Sequence, residues 1–298
     1  MSIEYRPDNT IIFTIARMNP PTPGHLLLIR RLIDEALKKE VNDVYIFLSK
    51  TKDNDENPIA CPEKINVLGN VGVGEGLAIK NMINSLKQIM IDENADPTIK
   101  DKIQSMNIHA ICVPNDIPGV KTTPFTPLSI LLETKKDIPD LNLFLIIGRD
   151  RAEMIGSIKK WLIKPGNNIR SVEGQILERT DMSEFKSKSS DPDQLDILNM
   201  SDIPSEAISA SFVRNIVKNK RRDKFQQLYA PYLDDEKIDL LYNDILRAFE
   251  DTTKLTKKQK IGGIRKTRKQ TKPKSKRKNK KSNKKSNKSR KNKRYRRK

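Results

Sequence analysis

The segment at residues 22–25 combines residue types that bind phosphate. Thr22 and His25 offer a hydroxyl and an imidazole, and Gly24 between them lets the backbone approach a ligand closely. Apolar residues at helical spacing begin directly afterwards, so the N–H groups and the positive dipole end of a helix start would face the same ligand. This pattern predicts an anion site where a helix begins.

A second segment, near the other end of the chain, has the same character. Ser209 and Ser211 place two hydroxyls at the start of another helical stretch, and Arg214 adds a guanidinium shortly afterwards. Either serine is a suitable helix N-cap. Together the two segments predict a clamp for one triphosphate.

Strands and helices that would position these residues alternate along the chain. Short apolar runs rich in β-branched residues are predicted as buried strands at residues 11–16, 44–48, 108–113, 143–147 and 169–176. The clearest helical spacing follows the first run, over residues 25–39. This alternation predicts an α/β fold with a Rossmann-like, doubly wound parallel sheet. Ligands of such sheets bind beyond the carboxyl ends of the strands, where the first phosphate-binding segment would lie.

The part of the chain after the last predicted strand changes character twice. Residues 178–204 are polar and contain Ser-rich and Asp-Pro stretches, which predicts a surface excursion. Helical spacing then returns at residues 209–217, 225–229 and 238–249, which predicts C-terminal helices.

Charge divides the chain in two. Of 58 Lys and Arg residues, 25 lie in residues 254–298, which contain no Asp or Glu. The other 33 are outnumbered by the 38 acidic residues of residues 1–253, so the basic excess belongs to the tail alone. A segment so poor in apolar residues cannot bury enough surface to offset its ordering entropy. We therefore predict a folded domain at 1–253 and a disordered basic tail at 254–298.

Composition excludes several classes of protein. Two cysteines and two histidines cannot form a disulfide framework or a clustered zinc site. The longest apolar run, at residues 143–147, is far shorter than the roughly 20 residues of a membrane-spanning helix. Residues 1–7 contain no apolar signal region. We expect an intracellular protein, cytoplasmic or nuclear, that does not bind membranes.

The two phosphate-binding segments resemble signatures of one superfamily. Thr22-Pro23-Gly24-His25 resembles the (H/T)xGH signature of the nucleotidyltransferases, and residues 208–214 resemble their ISxTxxR signature, with Ser211 in place of Thr. Gly148-Arg149-Asp150 resembles the GxD element of nicotinamide and nicotinate mononucleotide adenylyltransferases. Residues 47–65 are similar to the second-strand region of nucleotidyltransferases from large phages.

The resemblance implies a reaction and its substrates. A nucleoside monophosphate would move from a nucleoside triphosphate to a phosphorylated acceptor, with release of pyrophosphate and with Mg²⁺ bound through the triphosphate. The GxD element points to ATP as donor and to nicotinamide or nicotinate mononucleotide as acceptor. Trp161 lies 11 residues after Asp150, and at a similar spacing this family stacks a tryptophan on the pyridine ring.

Roles for individual residues follow from the same resemblance. His25 would stabilise the pentacoordinate α-phosphate, and Arg214 would hold the β- and γ-phosphates. Thr22 and Ser209 would donate hydrogen bonds. Further contacts with the nucleotide are implied for Arg17, Asn19, Gly24, Gly148, Asp150 and Ser211. Contacts with the acceptor are implied for Trp161, Lys50 and Arg179.

Two alternative functions remain open. The shared signatures contact phosphates and hardly distinguish one nucleotide base from another. A cytidylyltransferase that uses CTP and a phosphorylated alcohol or sugar therefore fits them too. In a different class, the tail could bind nucleic acid nonspecifically by counterion release, with the folded part as a nucleotide-binding scaffold. Residues 262–269 resemble basic C-terminal tails of proteins from large DNA viruses, which suggests a viral origin.

Trp161 is equally consistent with packing, and His109, inside a predicted strand, is expected to be structural.

Overall fold

The computed structural model describes residues 6–48, 78–112, 125–163, 167–178 and 183–266. Five strands form one sheet in the order β3-β2-β1-β4-β5, and every neighbouring pair is parallel. The strands are β1 (Thr10–Ala16), β2 (Asp43–Leu48), β3 (Asn107–Cys112), β4 (Leu141–Gly148) and β5 (Ile169–Leu177). Each coincides with a predicted apolar run, and the α/β fold is confirmed.

The three central strands, β1, β2 and β4, are buried on both faces, which is why they read as nearly continuous apolar runs. Successive side chains point to opposite faces, so Ile12 and Ile146 belong to one apolar core and Phe13 and Leu145 to the other. Three helices contribute to the first core: α1 (Pro23–Lys38), α2 (Ala78–Glu93) and α3 (Pro97–Ser105). Two contribute to the second: α4 (Thr126–Thr134) and α5 (Glu153–Leu162). The sheet is therefore doubly wound.

The C-terminal helices extend the first core. They are α6 (Ser183–Ser190), α7 (Pro192–Ile197), α8 (Ala210–Lys218), α9 (Arg222–Tyr229) and α10 (Asp235–Lys266). One-turn 3-10 helices at Met200–Asp202 and Ser205–Ala207 connect α7 to α8. Phe212, Phe225 and Ile245 from these helices are fully buried in the same core as α1. The predicted C-terminal helices are present, and their residues up to Phe249 pack in or against this core.

Most described side chains of residues 178–204 are exposed, as predicted for a surface excursion, but a few residues anchor the segment to the core. Leu195 and Met200 are buried in the first core. The side-chain amide of Asn215 on α8 donates to Ser189 Oγ at 3.0 Å, and Ser189 is completely buried. The sequence hides this packing because isolated apolar residues, separated by polar ones, do not form a recognisable periodic pattern.

The start of the basic tail also differs from the prediction. Helix α10 continues to Lys266, whereas disorder was predicted from Lys254. Lysine and glutamine have good intrinsic helix propensity, so a helix already begun can propagate into a charged segment. The chain divides into two units, Met1–Leu255 and Thr256–Lys298, and residues 267–298 lie outside the described part. Among the described residues, no helix is both long and apolar enough to cross a membrane.

The strand order locates the place where a ligand would bind. The chain moves from β1 outward to β2 and β3, and then returns to the other side of β1 as β4. The connections leaving β1 and β4 therefore diverge, and a crevice forms beyond their carboxyl ends. The loop after β1 carries residues 17–22, and the loop after β4 begins at Gly148.

Candidate functional site

The loop after β1 is held in an unusual backbone conformation. Met18 has φ of 44° and its side chain is completely buried. A residue with a side chain pays of the order of 1 kcal/mol or more for this left-handed conformation, so surrounding contacts must hold it there. The Asn19–Pro20 peptide bond is cis. Residues 18–22 are all buried, so this part of the loop lies inside the protein.

The structure explains why threonine and histidine are spaced three residues apart. Thr22 is the N-cap of α1, and its backbone N–H donates to His25 Nδ1 at 3.1 Å. Thr22 Oγ1 lies 2.9 Å from the same nitrogen. In this capping box His25 occupies the position usually taken by Glu or Gln. Because Nδ1 accepts a hydrogen bond, the neutral imidazole carries its proton on Nε2, which is then the donor nitrogen of the ring.

The second segment begins α8 as the sequence predicted. Ser209 is the N-cap, and its Oγ accepts from the backbone N–H of Phe212 at 3.1 Å. Ser211 lies in the first turn, where its Oγ accepts from Arg214 Nη2 at 2.9 Å. The other terminal nitrogen of Arg214, Nη1, donates to the carbonyl oxygen of Asn19 at 2.8 Å. The guanidinium thus connects α8 to the loop after β1.

Gly24 brings the two segments into direct contact. A Cβ atom at this position would lie 2.7 Å from the carbonyl oxygen of Ile208 and 3.1 Å from that of Ser205. The first turn of α1 therefore packs against the backbone that leads into α8. Gly24 was predicted to allow close approach to a ligand, and in the structure it allows close approach to another part of the chain. As a result, two helix N-termini lie side by side.

Gly24→Ala is expected to lower the free energy of unfolding by about 1–3 kcal/mol, because backbone atoms must move to admit the methyl group. Thermal or urea unfolding measures this change. The matched control is Gly156→Ala on α5, where an added Cβ would meet nothing within 4 Å. Alanine is the better helix former, so that variant should be more stable by about 0.5–1 kcal/mol. Equal stability of the two variants would contradict the packing role of Gly24.

A residue that the sequence analysis did not identify also holds the loop. Tyr229 on α9 is completely buried, and its hydroxyl donates to the carbonyl oxygen of Pro21 at 2.6 Å. Burial raises the pKa of the Tyr229 phenol far above its ordinary value, so the hydroxyl stays protonated. Helical spacing predicted the helix that carries Tyr229. No local signal identifies a partner 208 residues away.

The loop after β4 lies beside the loop after β1. Residues Arg149–Arg151 form one turn of 3-10 helix, and Arg151 Nη1 donates to the carbonyl oxygen of Ile15 at 3.4 Å. Arg149 is exposed and pairs with Glu178 at 2.7 Å. Gly148 is buried at the end of β4, and the Asp150 backbone follows it, although the Asp150 side chain lies outside the described part. Arg17 is exposed at the end of β1.

A pocket of about 280 Å³ opens beside Gly24. Leu27 from α1 and Leu177 from β5 form an apolar part of its wall. The rest of the wall is charged. Helix α1 contributes Arg30, Arg31 and Asp34, while Glu178 follows β5 and Glu206 precedes α8. Burial raises the pKa of the Asp34 carboxyl above its ordinary value. None of these residues stood out in the sequence, because each reads as part of an ordinary amphipathic element.

The residues implied for the acceptor are less completely described. The Trp161 side chain on α5 is 37% exposed, and its ring centroid lies 5.8 Å from that of Phe125. This contact is a packing interaction that still leaves part of the indole open to solvent. Lys50 and Arg179 lie outside the described residues. A role in acceptor binding stays a prediction for all three residues.

The described residues include no group of three or more His, Cys, Asp or Glu side chains placed to hold a metal ion. The donors that do converge are an imidazole, hydroxyls, helix N–H groups and a guanidinium, all of which suit phosphate oxygens. The chain matches no protein-family model, no curated protein sequence and no solved structure. Any assignment of function therefore depends on the sequence motifs and the geometry of the site.

Proposed function

We propose that the protein is a nucleotidyltransferase that moves a nucleoside monophosphate from a nucleoside triphosphate to a phosphorylated acceptor. The observation that carries this proposal is the contact between the N-termini of α1 and α8 beside the crevice of the sheet. His25 and Arg214 add an imidazole donor and a guanidinium to this same place. Two helix N-termini with such side chains favour a ligand that bears several negative charges.

The chemical step requires positioning more than it requires an activated nucleophile. A phosphate oxygen of the acceptor, already an anion, attacks the α-phosphorus and forms the new P–O bond. The bond from the α-phosphorus to the bridging oxygen breaks, and pyrophosphate leaves with the electron pair. His25 Nε2–H donates to an oxygen of the α-phosphate as charge builds up there. Arg214 and the hydroxyls of Ser209 and Ser211 hold the β- and γ-phosphates.

Magnesium would enter this site with the triphosphate. The converging donors are neutral or cationic, so they suit phosphate oxygens and do not suit a divalent cation. When bound through the phosphates, Mg²⁺ neutralises charge on the leaving pyrophosphate.

ATP and a pyridine mononucleotide are the proposed substrates. The pocket beside Gly24 adjoins the helix N-termini, and its apolar wall suits the nucleoside part of ATP. The resemblance of Gly148-Arg149-Asp150 to the GxD element supports nicotinamide or nicotinate mononucleotide as acceptor. The partly exposed indole of Trp161 is available to stack on its pyridine ring.

Pyrophosphate release by the full-length protein tests this proposal. ATP and CTP, each with Mg²⁺, are crossed with a panel of both pyridine mononucleotides, phosphocholine and glycerol phosphate. We expect release only with ATP and one pyridine mononucleotide. Release only with CTP and a phosphorylated alcohol would support the cytidylyltransferase alternative. A folded protein that binds a triphosphate and releases no pyrophosphate with any acceptor would contradict the proposed reaction.

Binding of nucleic acid is a second candidate function, favoured by the 25 Lys and Arg residues of residues 254–298. A chain that ends at Lys266 keeps every described element and loses 19 of these charges. If the tail serves nucleic-acid binding alone, this truncation leaves pyrophosphate release unchanged within a few-fold and removes affinity for a DNA duplex at physiological salt. Equal affinity of the two chains for the duplex would exclude the tail as the binding segment.

A further inference from the structure

Tyr229 and His25 contact opposite sides of one peptide group. The Tyr229 hydroxyl donates to the carbonyl oxygen of Pro21, and the N–H of the next residue, Thr22, donates to His25 Nδ1. Carbonyl and N–H belong to the Pro21–Thr22 peptide bond, which is trans. In a planar trans peptide these two groups point in opposite directions. The phenol and the imidazole therefore bond to opposite edges of the same planar peptide group.

We propose that Tyr229 is a positioning residue that fixes the orientation and tautomer of His25 through the Pro21–Thr22 peptide group. A hydrogen bond to the carbonyl oxygen polarises the amide and makes its N–H a stronger donor. The same bond prevents rotation of the peptide plane, so the N–H keeps pointing at Nδ1. With Nδ1 held as an acceptor, the Nε2–H stays directed toward the ligand site.

The surroundings of Tyr229 make this contact rigid. Its side chain is completely buried, and its ring stacks on that of Phe225 with centroids 4.5 Å apart. The hydroxyl has a short bond of 2.6 Å to a carbonyl of a buried proline. The loop itself needs support, because Met18 is held at φ of 44°. Arg214 supports the loop at Asn19, two residues before the peptide group that Tyr229 holds.

The effect on the ring of His25 can be measured without any substrate. The chain has two histidines, so labelling with ¹⁵N-histidine gives the ring signals of His25 and His109 alone. In the wild-type protein we expect the Nε2-protonated form of His25 to dominate. Tyr229→Phe keeps the buried ring and removes the hydroxyl. We expect it to raise the population of the Nδ1-protonated form about three- to tenfold, as the bond from Thr22 weakens.

Two internal controls separate this effect from general loosening. His109 lies on β3, bonded to Asp43 at 2.8 Å, and its signals should not change. Tyr242→Phe removes a hydroxyl from the same aromatic cluster, since the Tyr242 ring meets Phe225 edge-on at 5.2 Å. That variant should leave the tautomer populations of His25 unchanged.

A second variant applies if Tyr229→Phe does not fold. 3-Fluorotyrosine incorporated at position 229 keeps the ring and makes the hydroxyl a stronger hydrogen-bond donor. We then expect the minor tautomer to decrease.

The expected effect on catalysis rests on the proposed function. The expected effect on the His25 tautomer does not, because it is measured without substrate. If the wild-type protein releases pyrophosphate, Tyr229→Phe should lower kcat about tenfold and change the KM for ATP less than threefold, as for a weakened transition-state donor. Unchanged His25 signals in a folded Tyr229→Phe protein would overturn the positioning role. A changed tautomer in a protein that releases no pyrophosphate would support the positioning role and count against the proposed function alone.

Discussion

His25→Ala is expected to lower the rate of pyrophosphate release about 100-fold or more, because it removes one preorganised donor to the developing charge on the α-phosphate. The imidazole is half-buried and its Nδ1 is already bonded to the backbone N–H of Thr22. In the proposed reaction, Nε2 is the nitrogen that donates to the α-phosphate. The rate under saturating triphosphate and acceptor is the quantity to measure.

The fold should survive this substitution. Thr22 remains as N-cap, so the lost capping contact should cost about 0.5–2 kcal/mol of unfolding free energy, as measured by thermal melting. His109→Ala is the matched control, since it removes the other imidazole of the chain from a partly exposed position on β3. Its rate should equal that of the wild type. A His25→Ala protein with the wild-type rate would remove this residue from the mechanism.

Arg214→Ala should raise the KM for the triphosphate about 10- to 100-fold, the range expected for loss of a hydrogen-bonded charge. Its guanidinium has two tasks, since Nη1 holds the carbonyl oxygen of Asn19 and Nη2 holds Ser211 Oγ. Arg214→Lys retains the charge without the planar fork that reaches both partners, so it should recover only part of the affinity. Titration with the triphosphate alone gives the dissociation constant directly.

The matched control for Arg214 is Arg222→Ala. Arg222 pairs with Asp239 on the surface, where 56% of its side chain is exposed. Exposed ion pairs contribute little, so this variant should bind the triphosphate as the wild type does. Equal affinities of the Arg214→Ala and wild-type proteins would show that the triphosphate binds elsewhere.

Local features of the sequence determined the elements of this fold. Each predicted run became a strand within two residues of its predicted ends. The signal was clearest for β1, β2 and β4, because a buried parallel strand needs apolar side chains on both faces. Ser209 caps α8, since its side chain accepts from the backbone N–H of Phe212, and Thr22 begins α1, where its backbone N–H donates to His25 Nδ1. The two phosphate-binding motifs could be recognised in the sequence because they too consist of residues that lie close together along the chain.

Packing of residues 178–204 was not predictable in the same way. Ser189 can be buried because Asn215 on α8, 26 residues further along the chain, donates to its hydroxyl. A serine-rich segment would otherwise be expected at the surface. Likewise, α10 reaches Lys266 although its last residues carry the charge pattern of a disordered tail.

The sequence by itself thus determined the strands, the helix starts and the two groups of residues that could bind phosphate. Tertiary structure alone decided how they meet: Gly24 against Ile208, Arg214 against Asn19, and Tyr229 against Pro21. The physical reason is distance along the chain. Caps and apolar periodicity arise from neighbours within one or two turns, whereas each of these contacts joins residues more than 180 positions apart and exists only once the sheet has brought both ends of the domain to one crevice.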